Sequence, residues 1–507
     1  MAPPAIHSYF NGQPQPSSSS PSSVFTSLNP ATESVLATVH TTTPAQLQQA
    51  IDSAAAAFAT WSQTPALERS RILLGAVALL RARNDELALV ETRDTGKPLQ
   101  ETLAVDVHTG ADVLEYYAKL VADGMPGQHT PLSANTHIYT TLEPIGICAG
   151  IGAWNYPLQI ALWKSAPCLA AGNCMVYKPS EVTPLHANRL AAIYSEAGLP
   201  PGVFNVVYGD GPSVGEPLVS HPAIAKVSFT GQVSTGRRVA AQAAADMKGI
   251  TMELGGKSPL LILPDADIDD AADVAMAANF FSSGQVCTNG TRVFVPDSLL
   301  EPLKQAIIQR CRLVCMDMPE KQSTTLGPLV SAAHRNKVLD YINHGLHVDA
   351  AKVVYNGNAS LPPHLAKQPG YWVAPMVFEC TDDMRIAREE VFGPVMCLLP
   401  YHTAGCRSPM DWLPDLVRRA NATPLGLAAG VVSSDLGLAQ AVVARLHAGI
   451  TWINTWGDSP AEMPVGGWKL SGTGVENGHE GIRAYVRTKS TFVNTGKTAA
   501  QLASAKL

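Results

Sequence analysis

The sequence predicts an α/β protein built on a doubly wound parallel sheet, followed by a second α/β unit. Short apolar strands alternate with helical patterns over 144–246, and a second alternating block begins near 258. Hydrophobic residues make up 46 % of the 507-residue chain and charged residues 15 %, which suffices to fill large cores. In the first block the strands and helices run 144–150 then 157–171, 173–177 then 183–197, 203–207 then 213–220, and 225–229 then 234–246. This is the βαβα rhythm of parallel strands joined by crossover helices. In the second block the candidate strands are Pro259–Leu263, Thr291–Val295, Trp372–Val377, Leu427–Val432 and Ile450–Ile453. Helices are expected there near 267–282, 297–316, 331–346 and 434–447. Ahead of both blocks lie helical patterns at 44–61, 65–90 and 98–122. Thr136–Glu143 and Ile482–Val493 are β-prone, far apart, and outside either rhythm. Residues 11–23, rich in Ser, Pro, Gln and Gly, read as a flexible arm or surface loop.

Composition excludes several function classes. The net charge is −6, from 36 Lys and Arg against 42 Asp and Glu, with no basic block. That is not the footprint of a nucleic-acid binder, and anionic membranes are poor partners for the same reason. No apolar run reaches the roughly 18 residues of a membrane span, and the start lacks the basic-then-apolar order of a secretory signal. Nine cysteines, irregularly spaced and without a CxxC pair, suggest neither a disulfide framework nor a metal site. Reduced thiols imply an intracellular protein. The ending Ala505-Lys506-Leu507 approximates the SKL peroxisomal address. Peroxisomal import through its receptor is therefore expected, with a cytoplasmic location as the alternative.

Five segments carry chemistry. Gly-Gln-Val-Cys-Thr-Asn-Gly-Thr at 284–291 places Cys287 among small polar residues, open to solvent and substrate. A thiolate attacks carbonyl carbon well and is readily displaced later. Cys397, inside the apolar run Val-Met-Cys-Leu-Leu, is by contrast a buried structural thiol. In Thr-Met-Glu-Leu-Gly-Gly-Lys-Ser-Pro at 251–259, Glu253 stands beside two glycines, where a water-activating base needs little steric obstruction. A surface Glu before a turn fits the same pattern. Ile-Gly-Ala-Trp-Asn-Tyr-Pro at 151–157 puts Asn155 between a strand and a helix. Its amide suits an oxyanion, a donor worth roughly 3 to 4 kcal/mol of barrier, or equally a helix N-cap. Ser-Phe-Thr-Gly-Gln-Val-Ser-Thr-Gly at 228–236 joins a strand to a helix whose free N–H groups suit a pyrophosphate. Lys178-Pro179-Ser180-Glu181 follows the strand at 173–177, with a carboxylate suited to ribose hydroxyls.

Taken together these segments resemble the aldehyde dehydrogenase superfamily from about residue 25 to 495. The motifs are MELGGKSP at 252–259, GQVCTNGTR at 284–292, AWNYP at 153–157, YKPSE at 177–181, FTG at 229–231 and EEVFGPV at 389–395, with Glu253 and Cys287 34 residues apart. The resemblance implies that Cys287 is the nucleophile, that Asn155 and the Cys287 N–H form the oxyanion hole, and that Glu253 activates the deacylating water. It implies NAD as cofactor, with NADP tolerated. Glu390 and Phe392 would hold the nicotinamide end, and Lys178, Ser180 and Glu181 the adenosine ribose. Trp154 and Leu254 would lie beside the cofactor, with Gly231 and Gly236 flanking the phosphate-side turn. Lys164 and Glu476 match positions tied to a proton relay from the base. Val475 departs from the Arg that many relatives carry there, so a changed local salt bridge is expected.

The implied organisation is a dinucleotide-binding domain over 24–134 and 145–256, a catalytic domain over 257–470, and oligomerisation strands at 135–144 and 482–495. Residues 1–23 would be an N-terminal arm and 496–507 a flexible tail. Homodimers or homotetramers follow from the resemblance. Among such enzymes the segments 451–467, 279–283 and 160–165 look most like betaine aldehyde dehydrogenases, with trimethylaminobutyraldehyde dehydrogenases close behind. Tyr156, Trp163, Phe281 and Trp456 match positions of the family's aldehyde tunnel. Four aromatic faces suit a quaternary ammonium, each contributing roughly 0.5 to 2 kcal/mol, and Asp458 and Glu462 add negative charge. Ordinary aromatic packing, accepting neutral aldehydes, is the alternative.

Overall fold

The computed structural model describes residues 3–16 and 23–496. Five parallel strands form the centre of one sheet, in the spatial order Gly249–Glu253, Ile224–Thr230, Ile147–Ile151, Cys174–Lys178 and Phe204–Val206. Strand order therefore reverses between Ile147–Ile151 and Ile224–Thr230. At such a switch point the loops leaving the two strands diverge and open a crevice. Helices cover both faces of the sheet, so Ile147–Ile151 and Cys174–Lys178 are buried throughout and read as unbroken apolar runs. Ile224–Thr230 differs: Lys226, Ser228 and Thr230 alternate with Val227 and Phe229, giving a polar face inside the protein.

Antiparallel strands close this sheet at both edges. Gly472–Thr473 pairs with Met252 and Glu253, and Tyr9 pairs with Val206. The N-terminal segment is thus not a free arm over its described part. Ala5–Ile6 pairs with Thr38 and Val39, and Tyr9–Phe10 and Gln13–Pro14 form a hairpin. Tyr9 and Phe10 are buried in the core, and two aromatic rings outweigh the polar composition around them.

A second sheet runs in the order Lys352–Asn356, Met376–Glu379, Val395–Tyr401, Arg292–Pro296, Pro259–Ile262, Ala428–Val432 and Ile450–Ile453. All of its pairs are parallel except Lys352–Asn356 at one edge. Val395–Tyr401, not assigned as a strand from sequence, lies inside the sheet with Cys397 fully buried. The helix Pro409–Asn421 also escaped assignment, because Pro409 and Pro414 obscure its pattern, yet Trp412, Leu413, Leu416 and Ala420 form a buried stripe.

The helical pattern over 65–90 divides at Arg83 into Ala66–Ala82 and Asn84–Thr95. The pattern over 98–122 contains a π-helical turn, Thr102–Asp106, before Val107–Leu120. Both Thr102 and Asp106 are buried in that wide turn. Thr136–Pro144 pairs along its length with Val486–Asn494, and His129–Ser133 adds a third strand outside. The second β-prone stretch starts later than expected, since the helix Gly478–Arg483 takes its first residues. The sheet leaves Tyr139 and Phe492 exposed. Among the described residues no helix is long and apolar enough to cross a membrane, and the nine cysteines are free thiols. Ala505, Lys506 and Leu507 lie outside the described residues.

Candidate active site

A cavity of about 1000 Å³ occupies the switch point, and its wall is shared by loops of both sheets. Cys287 reaches it from the segment that follows the helix Ile268–Phe280. That segment is pinned at Gln285. The Gln285 side chain donates to the Ser282 carbonyl at 3.3 Å and accepts the Val330 N–H at 3.0 Å. The Gln285 backbone carbonyl accepts one N–H of the Asn155 amide at 3.0 Å. Asn155 does not cap the following helix: Tyr156 occupies the N-cap position, with no side-chain cap bond, and Pro157 begins the helix. The Asn155 amide is held instead beside the Cys287 segment, on the cavity wall.

Glu253 ends the strand Gly249–Glu253 and faces the same cavity. It is buried, and its Oε1 has no hydrogen-bond partner. Burial, then the charge of Glu476, raise its pKa well above the carboxylate range, while Lys164 partly offsets this. Lys164 and Glu476 lie behind the wall. The Lys164 ammonium donates to Glu476 and Thr230 at 2.8 Å and to Ser228 at 3.0 Å, and the Ser228 hydroxyl donates to Glu476 at 2.6 Å. Thr230 stands opposite Glu253 in the strand register. Ser228 and Thr230 were missed from sequence, although the polar alternation Lys226-x-Ser228-x-Thr230 was a visible signal. Val475 lies near Gly466, and Lys164 supplies the cation for Glu476. Burial, followed by the Glu253 and Glu390 carboxylates, pushes the Cys287 thiol up to about 12, with the Cys287 and Thr288 N–H groups acting the other way.

The same cavity is lined by Lys178, Ser180 and Glu181. Lys178 is buried and donates to the Pro179 carbonyl at 3.1 Å and to Glu181 at 3.3 Å. The Ser180 hydroxyl accepts the Val182 N–H at 3.2 Å. Gly231 presents bare backbone to the cavity, and any Cβ there would strike the Phe229 ring. Gly236 is not itself on the cavity wall. It is buried where the helix Val233–Ala245 comes closest to Leu254, which does line the cavity.

Glu390, Phe392 and Trp154 also line the cavity. The Glu390 carboxylate accepts the Gly256 N–H at 3.0 Å and lies against Gly255. Phe392 adopts a left-handed φ of 63°, a strained state for an aromatic residue. His334 steadies it: its Nε2 is 2.6 Å from the Phe392 carbonyl, and its ring is 4.9 Å from Trp154. Burial holds the His334 pKa down at about 4, so the ring is neutral at pH 7 and donates to that carbonyl. Nothing in the sequence around His334 marks it.

Tyr156, Trp163, Phe281 and Trp456 all reach the cavity. Trp163, Cys287 and Trp456 touch one apolar cluster that includes Leu427, Ile450 and Trp452. Trp456 lies 5.0 Å from Trp452. The Lys97 ammonium sits 4.0 Å above the Tyr156 ring. Asp458 is on the wall, but Glu462 is exposed and off it.

The architecture has close counterparts among solved structures. An aldehyde dehydrogenase of Bacillus cereus, solved in complex with NAD+, is 36 % identical over 97 % of both chains, with a TM-score of 0.90. A betaine aldehyde dehydrogenase of Staphylococcus aureus is 34 % identical over 98 % of both, with a TM-score of 0.91. A gamma-glutamyl-gamma-aminobutyraldehyde dehydrogenase of Burkholderia cenocepacia is 34 % identical over 97 % of both, with a TM-score of 0.89. The model of the aldehyde dehydrogenase family matches residues 17–491, and the chain belongs to that family.

Proposed function

We propose that the chain oxidises betaine aldehyde to glycine betaine with NAD+ and water, through a covalent adduct on Cys287. The observation that carries the chemistry is that Cys287, Glu253 and the Asn155 amide meet on one cavity wall. The Cys287 thiolate attacks the carbonyl carbon, and the oxygen takes up negative charge. One Asn155 N–H is spent on the Gln285 carbonyl, which leaves the other, with the Cys287 N–H, for that oxyanion. Bound NAD+ supplies the two-electron acceptor for the adduct carbon. Glu253 then takes a proton from water, the hydroxide attacks the resulting thioester, and the carbon–sulfur bond breaks to release the acid and the thiolate. Burial and then the Glu476 charge raise the Glu253 pKa, which makes its carboxylate a stronger proton acceptor. Lys164 and Glu476 form the buried route by which its proton leaves.

The residues present fit NAD+. Gly231 lets backbone approach closely, and the helix from Val233 turns its first N–H groups toward the same end of the cavity. Lys178, Ser180 and Glu181 would hold the adenosine ribose, Leu254 and Trp154 would flank the cofactor, and Glu390 and Phe392 would hold the nicotinamide end. The Glu181 carboxylate disfavours a 2′-phosphate, so NAD+ is preferred and Lys178 tolerates some NADP+. The three-stranded sheet, with Phe492 and Tyr139 exposed, supports assembly into homodimers or homotetramers. The ending Ala505-Lys506-Leu507 is proposed to direct peroxisomal import.

For the substrate, the aromatic wall is the argument, since relatives named for different aldehydes are equally identical to this chain. Trp163, Phe281 and Trp456, with Asp458 beside them, suit a trimethylammonium group, which is bulky and weakly hydrated. One observation favours a second reading, a neutral aldehyde: Lys97 already occupies a face of Tyr156 and weakens that ring's hold on another cation. Betaine aldehyde and its uncharged isostere, 3,3-dimethylbutanal, separate the two. Betaine aldehyde should win in kcat/KM by at least about tenfold, or about 1.4 kcal/mol. Equal values leave a generic aldehyde dehydrogenase. Cys287→Ala should abolish turnover on both, and a mutant keeping a tenth or more of the wild-type rate, an arbitrary but roughly 1.4 kcal/mol margin, would sink the covalent route.

A further inference from the structure

Ser282 and Ser283 turn the chain from the helix Ile268–Phe280 toward Cys287, and both adopt a left-handed φ, 50° and 56°. Serine does not rest there unaided, because its Cβ crowds the following carbonyl oxygen. Each residue therefore needs a restraint. The Ser283 hydroxyl donates to the Gly327 carbonyl at 2.9 Å. Ser282 is held by Glu101, whose carboxylate accepts the Ser282 N–H at 3.1 and 3.2 Å and the Ser282 hydroxyl at 3.1 Å. With that proton committed, the Tyr156 phenol donates to the Ser282 oxygen at 2.8 Å.

Glu101 is itself fixed from behind. It immediately precedes the π-helical turn Thr102–Asp106, the kind of irregularity that recurs at functional sites. Across this turn Lys97 pairs with Asp106 and, at 3.3 Å, with Glu91, while lying over the Tyr156 ring. Burial pushes Glu101 up to about 7, and the Ser282 N–H followed by the Lys97 charge hold it from rising further. Glu101 is not on the cavity wall, so its effect on chemistry passes through Ser282.

We propose that Glu101 is a positioning residue: by accepting both protons of Ser282 it fixes the left-handed turn that aims Cys287 and anchors the Tyr156 ring. This rests on the reading of Cys287 as nucleophile. The test uses the full chain and two readouts. One is steady-state kinetics. The other is alkylation of Cys287 by iodoacetamide without NAD+ or aldehyde, followed by mass spectrometry, which does not depend on the identity of the substrate. In Glu101→Leu, kcat should fall at least about tenfold and Cys287 alkylation should quicken at least about threefold as the segment loosens, with NAD+ affinity within about twofold. The double variant Glu101→Leu/Ser282→Gly should regain at least about threefold in kcat, because glycine enters the left-handed region without a restraint. A folded Glu101→Leu with kcat and alkylation both within about twofold of wild type overturns the assignment, as does a double variant with no recovery. Should Glu101→Leu fail to fold, Ser282→Ala decides: a kcat loss of about threefold or more supports the assignment, and a smaller one overturns it. Failure of the nucleophile reading looks different, since Cys287→Ala would then turn over while the alkylation differences persisted.

Discussion

Lys164 donates to Glu476 at 2.8 Å, and the pair is sealed behind Glu253, with which only Thr230 shares the strand register on that side. The cavity-facing carboxylate therefore feels a buried anion whose compensating cation is turned away toward Glu476, Ser228 and Thr230. Burial first, and then this buried anion, raise the Glu253 pKa well above the ordinary carboxylate range.

Glu476→Gln removes the anion and leaves the Lys164 cation, and both changes ease ionisation of Glu253. The acid limb of the pH–rate profile should move to lower pH by about one unit, the scale of a single nearby charge. An unmoved limb would show that Glu253 does not titrate in the rate-limiting step.

Glu253 also links pH to stability. Its pKa is raised in the folded protein, so between the ordinary carboxylate value and that raised value the unfolded chain is ionised while the folded one holds its proton. The stability contributed by the neutral form is complete at low pH and is lost as pH rises through the folded pKa. Glu253→Gln should be free of this loss. Its melting temperature should gain on wild type as pH rises from about 5 to 9, and a constant gap across that range would contradict the raised pKa. In pre-steady-state kinetics the same variant should give a burst of NADH and then stall.

The Cys287 thiol is held high by burial and then by Glu253 and Glu390. Glu390→Gln should therefore raise the thiolate fraction at a fixed pH. Iodoacetamide should alkylate Cys287 about threefold or more faster at pH 8 in this variant than in wild type. Identical rates would mean that the Glu390 charge does not reach the sulfur.

Glu181, proposed to hold the adenosine ribose, meets the buried Lys178 at 3.3 Å. Glu181→Ser removes the charge that opposes a 2′-phosphate and frees Lys178 to bind it. The NADP+ to NAD+ ratio of kcat/KM should rise about tenfold. An unchanged ratio would place the ribose hydroxyls elsewhere.

The two alternating blocks, the apolar central strands and the segments that carry Cys287, Glu253 and Asn155 were legible from the residues alone. These are local properties: a strand buried on both faces must be apolar, and a segment that lets backbone or substrate approach closely must be small-sided. The structure alone settled where side chains distant in the chain meet. That Asn155 bonds the Gln285 carbonyl instead of capping its own helix is fixed by a contact 130 residues away. His334 beside Trp154 and Glu101 under Ser282 had no legible signature, because a single polar residue on a helix looks the same whether it meets solvent or a loop from the other end of the chain. The same limit hid the docking of Tyr9 on Val206, where burial of two rings overrode a polar neighbourhood. It also hid the close approach of Leu254 to Gly236, which leaves no room for a side chain there. Local composition specifies which elements form, and tertiary packing decides which of their polar groups are desolvated together, which is where a site acquires its chemistry.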